Sequence, residues 1–203
     1  MLVLLAIIAV NVAVSLRGFR ALRTGGPDAE KFLFVPHQVA QGRNRLGLLL
    51  SHFAHAGAFH LVFNMLALFS FADAVVNALG AARFLLIYAV SGLGADLVVY
   101  VLRKNDPTYR CLGASGSVFG VVMAAVVLDP STSIMLILVP IPIPGPVFML
   151  GYTIVSIVLM LQKRRDGVSH EGHLGGTLVG LVATAVLAPR GLDPLIQWFA
   201  RWL

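Results

Sequence analysis

Three stretches of the chain set chemically capable side chains into otherwise apolar sequence: Gly113-Ala114-Ser115-Gly116, His170-Glu171-Gly172-His173-Leu174-Gly175-Gly176, and Ser51 to Asn64, which holds His52, His55 and His60. A serine hydroxyl is a weak nucleophile until a base takes its proton, and histidine titrates near neutral pH. Ser115 and His173 are therefore the candidate nucleophile and base of an acyl-transfer site. Such a site needs donors aimed at the developing oxyanion. Asn64 can offer an amide N–H and His60 an imidazole N–H. The Ser115 backbone N–H is a third candidate, because early helix amides lack intrahelical acceptors. His60 and Asn64 are four apart and share one helix face. Glu171 stands two residues from His173, off its face, so a Ser–His dyad is the economical reading.

Each residue alone has a plainer use. A serine in a membrane helix usually bonds its own backbone. The histidines could bond between helices or bind metal, but no paired cysteines or fixed carboxylate accompany them. Asn64 could be helix glue. The weight lies in their co-occurrence.

The elements that must position these groups follow from composition. Of 203 residues, 58% are hydrophobic and 12% charged, and mean hydropathy is +0.88. A soluble domain carries nearer ~25% charged residues, so the bilayer is the better solvent for this chain. The net charge of +6 sits mostly between apolar runs, the pattern of loops beside head groups and not of a nucleic-acid surface. The single cysteine, Cys111, excludes an intrachain disulfide. Nothing implies a cofactor or metal.

The hydropathy pattern predicts an all-α, polytopic membrane protein of one domain, residues 1–203, with six spans near 1–16, 55–77, 82–102, 112–128, 146–162 and 171–188. A polar connection covers Arg17 to about Arg45. The prolines 140, 142, 144 and 146 read as helix breakers before span five. The loop from Lys163 to Gly167 precedes span six, and the tail with Trp198, Arg201 and Trp202 reads as interfacial. Spans two, four and six enter from one side, and each carries its polar group in its first turns. The three groups are thus expected at similar depth. Gly116 and Gly120 on span four, and Gly176 and Gly180 on span six, are small-residue pairs that permit close helix approach.

These residues resemble the rhomboid family of intramembrane serine proteases over about residues 45–189. His55, His60 and Asn64 match the family's run in the second helix, Gly113-Ala114-Ser115-Gly116 its GxSG, and His173 with Gly176 and Gly180 its sixth-helix motif. The resemblance implies a six-helix bundle with a Ser115–His173 dyad and an oxyanion site of His60, Asn64 and the Ser115 amide. It implies a first loop lying partly in the membrane, and a fifth helix and following loop acting as gate and cap. Substrates would be single-span membrane proteins, cut near small residues in the bilayer, here the inner membrane of a prokaryote. Phe119 falls where many relatives have a tyrosine against the catalytic histidine. The family's Trp-Arg pair is missing from loop one, where Arg43-Asn44-Arg45-Leu46-Gly47 stands. Loops one, three and five hold most of the positive charge, including Arg103, Lys104, Arg110 and residues 163–165. The positive-inside rule would place loops one, three and five in the cytoplasm, whereas the bacterial family norm places them outside. The rival readings are a rhomboid-like pseudoprotease that binds helices without cutting, and a small histidine-using transporter.

Overall fold

A computed structural model describes residues 2–136, 139–163 and 166–201. Helix α1, Leu2–Thr24, opens the chain. It continues eight residues past the expected end of span one, because helical geometry persists through Arg17, Arg20 and Arg23 after hydropathy has fallen. The expected polar connection is therefore partly helical: α2 is Pro27–Glu30, α3 Pro36–Ala40 and α4 Arg45–Leu50. Helices α5, Ala58–Leu79, and α6, Ala81–Arg103, follow. Gly80, at φ 85°, makes the break between them, a left-handed position that favours glycine.

Helix α7 is Ser115–Leu128, three residues shorter at its start than expected. A hairpin follows, β1 Ser133–Leu136 and β2 Val139–Pro144, paired Ser133↔Pro144, Ile134↔Ile143 and Leu136↔Val139. The fold is mostly α, as expected, and the next helix begins at Gly145, just past the helix-breaking prolines; the addition is that prolines 140, 142 and 144 themselves build a strand. Their phase explains it. The Gly145 N–H bonds the Thr132 carbonyl, so odd-numbered amides face β1. The even positions held by proline face away, where a missing donor costs nothing. Helices α8, Gly145–Leu161, α9, His170–Leu187, and α10, Asp193–Ala200, complete the chain. Of the tail, Trp202 lies outside the described residues, as do Arg164 and Arg165 in the loop before α9.

Helix α7 is the axis of the bundle, with nearly every residue from Gly116 to Val127 buried. Helices α6 and α9 seat against it through glycines. A Cβ at Gly176 would strike the Gly116 backbone, one at Gly180 the Gly120 backbone, and one at Gly120 the Ser91 side chain. Leu2, Phe59, Leu93 and Leu161 are among the large apolar side chains left exposed on the outer helices. Helices α1, α5 and α6 are each long and apolar enough to cross a membrane, and α7 and α8 are shorter apolar helices.

The loop between α1 and α5 docks without the Trp-Arg pair. Asn44, at φ 51°, accepts from Gly47 N–H (3.1 Å) and donates to the carbonyls of Glu30 (3.1 Å) and Leu33 (3.2 Å). Phe34 and Cys111 exchange two backbone hydrogen bonds, and Gly113 N–H reaches the Ser51 carbonyl at 2.8 Å. These bonds hold the segment leading to Ser115.

Candidate active site

Ser115 is the first residue of α7 and His173 lies in the first turn of α9. The glycine contacts bring these two helix starts together, and Ser115 Oγ lies 2.8 Å from His173 Nε2. Ser169 caps α9 by accepting from Gly172 N–H at 3.2 Å, which fixes the turn that presents His173. The Phe119 ring packs on His173 with centroids 4.7 Å apart.

Ser115 and His173 open onto a cavity of about 680 Å³ that His60, Asn64 and Phe119 also line. Ala56 N–H points at His60 Nδ1 (3.4 Å), which leaves the ring proton to Nε2. A Cβ at Gly113, where φ is +133°, would come 3.0 Å from His60 Nε2 and 3.7 Å from Ser115 Oγ. The missing side chain is thus what lets the imidazole approach the serine. Asn64 Nδ2 donates to the His60 carbonyl at 3.0 Å, and its amide carries a second N–H. His55 does not line the cavity. It is fully buried behind His60, edge to face at 4.9 Å, with Nδ1 2.9 Å from Ser15 Oγ of α1. Gly116, Gly176 and Gly180 serve the helix contacts.

The structure adds Tyr152 to the residues that the sequence singled out. Tyr152 of α8 brings Oη to 2.5 Å from His173 Nδ1 and stacks on Phe119 at 4.3 Å. A hydroxylated ring in mid-span was the available signal, since a buried Tyr O–H seeks a partner. Glu171 is engaged elsewhere. Arg103 Nε donates to its Oε1 at 2.7 Å, the second guanidinium arm joins the same oxygen, and Tyr109 O–H reaches Oε2 at 3.3 Å. His52 pairs with Asp96 at 2.8 Å, and both line a pocket of about 30 Å³ behind Ser115. Cys111 lines the main cavity too. Desolvation, with Asp96 adding to it, pushes its thiol up to about 12, so it stays protonated and is no rival nucleophile. No cluster of three or more His, Cys, Asp or Glu side chains is placed to hold a metal among the described residues.

The Rhomboid domain matches residues 43–190, a span that contains every one of these cavity groups. The chain belongs to the rhomboid family. It is 32% identical over 139 residues to the mouse presenilin-associated rhomboid-like protein, mitochondrial, covering 66% of this chain and 36% of that protein. It is 31% identical over 136 residues to Rhomboid protease GluP of Bacillus subtilis, covering 66% of this chain and 24% of that one. The putative rhomboid protease YdcA of the same bacterium is 48% identical over 66 residues, 32% of either chain. The chain thus spans less than half the length of these relatives. As a rhomboid-family chain with long apolar helices, it is a multi-pass integral membrane protein.

Proposed function

We propose that this rhomboid-family chain is an intramembrane serine endopeptidase, with Ser115 as nucleophile and His173 as base. The observation that carries the reading is the 2.8 Å Ser115–His173 contact at the wall of a cavity shared with His60 and Asn64. His173 Nε2 takes the hydroxyl proton while Ser115 Oγ attacks the scissile carbonyl. Negative charge develops on the carbonyl oxygen and meets His60 Nε2–H, an Asn64 N–H and the Ser115 backbone N–H. The imidazolium then protonates the leaving amine. Water, deprotonated by the same Nε2, releases the acyl group and restores the serine.

The substrates proposed are single-span membrane proteins, cut in the bilayer where small residues let a helix unwind. The single domain of residues 1–203 holds this whole apparatus. The relatives named above are both mitochondrial and bacterial, so they do not favour a prokaryotic inner membrane over an organelle.

The test is cleavage of a single-span substrate by the purified protein in liposomes, beside Ser115→Ala and His173→Ala. Each substitution is expected to reduce kcat by at least about 10³-fold. A fluorophosphonate should label Ser115 covalently in the wild type. Cleavage that persists in either variant sinks the dyad. Helix binding without cleavage or labelling would instead make the chain a pseudoprotease.

A further inference from the structure

We infer that Tyr152 is a positioning residue for His173: its phenol oxygen accepts the Nδ1–H and so holds the imidazole in the tautomer that leaves Nε2 free for the Ser115 proton. The inference rests on the protease reading above. A neutral imidazole carries one N–H and has one bare nitrogen. His173 has a partner at each, Ser115 Oγ at 2.8 Å on Nε2 and Tyr152 Oη at 2.5 Å on Nδ1. With the proton on Nδ1, Nε2 accepts from the serine and can take its hydrogen. With the phenol donating to Nδ1, Nε2 carries the proton and the serine has no base. The direction of one hydrogen bond therefore separates a reactive site from an idle one.

Two features favour the reactive direction. The first is that among the described residues no carboxylate competes for Nδ1, because Glu171 is taken by Arg103 and Tyr109. The second is a hydroxyl left free to accept the phenol's own hydrogen. Ser156 stands one turn further along α8, on the same face. It is 1% exposed, and its Oγ has no hydrogen bond among the described residues. The ring that delivers Oη is held flat between Phe119, at 4.3 Å, and Phe148, at 6.0 Å, both 14° from parallel. Tyr152 belongs to α8, whereas the dyad belongs to α7 and α9. The state of the base thus depends on where α8 sits.

The experiment compares wild type, Tyr152→Phe, Ser156→Ala and Ser115→Ala in one detergent. It reads substrate kinetics and the ¹⁵N spectrum of the His173 ring in histidine-labelled protein. Tyr152→Phe keeps the stacked ring and loses only Oη. It is expected to lower kcat about 10-fold, the worth of one such hydrogen bond, with KM within about twofold. The ring signals should lose the Nδ1–H pattern. Ser156→Ala removes the acceptor offered to the phenol hydrogen and should move the spectrum toward the Nε2–H form. An unchanged or raised kcat in Tyr152→Phe, or an unchanged ring spectrum in that variant, overturns the inference and leaves the dyad intact. Activity in Ser115→Ala sinks the protease reading instead, and the ring spectrum still tests the tautomer without any substrate.

Discussion

His60 donates through Nε2 because Ala56 N–H occupies its other nitrogen. That small backbone contact suits it to an oxyanion and unsuits it as a base. If the proposed protease reading holds, His60→Ala and Asn64→Ala should each lower kcat about 10²-fold with little change in KM, the usual effect of removing one oxyanion donor. Single-turnover kinetics on a fixed substrate would check this. Residues of this kind are legible in the sequence alone. A hydroxyl, an imidazole and an amide in apolar helices are costly and need a reason. Tyr152 is not legible in the same way. A tyrosine is at home in membrane helices as an amphipathic ring, and its partner lies 21 positions away on another helix. Glu171 stands apart from the dyad, as its spacing suggests, but its partner Arg103 is 68 positions distant, and nothing local points to it.

At the scale of elements, the glycine seams decide where the serine meets the histidine. In Gly176→Ala the new Cβ meets the Gly116 backbone, which has no rotamer to yield. The helices must part, at a cost of about 1–3 kcal/mol. Thermal unfolding in detergent would register the loss, and fluorophosphonate labelling should slow as Ser115 and His173 separate. The seams are readable as Gly-x-x-x-Gly spacing. The far end of α1 is not, because hydropathy marks where apolar residues stop and α1 keeps its hydrogen bonds through three arginines. The proline hairpin escapes a sequence reading because a helix breaker does not specify the next element, and only strand phase shows why three prolines are tolerated. In loop one, Asn44→Ala should cost about 1 kcal/mol, since it removes a cap and two carbonyl contacts. Faster proteolytic nicking between α2 and α4 would reveal it.

Across the whole molecule, Arg103, Tyr109, Ser169 and Glu171 brace the end of α6, the segment before Ser115 and the start of α9. The Glu171 side chain is 4% exposed and that of Arg103 15%. Removing either partner strands a buried charge, so Arg103→Met should cost about 3–5 kcal/mol, and the double replacement with Glu171→Leu much less. A double-mutant cycle on unfolding would separate the two. Charge counting uses Arg103 as a topological marker, but in the folded chain it is a structural cation. A last consequence comes from the burial of α7. Its 14 residues rise only about 21 Å, against a hydrocarbon thickness of about 30 Å. Wrapped by protein on nearly every face, α7 need not match the lipid at all. Hydrophobic mismatch then falls on the outer helices, while the depth of the serine is a ruler cut by its neighbours. On the proposed protease reading, moving the protein between lipids of short and long acyl chains should change the rate of substrate entry and leave the scissile bond where it was.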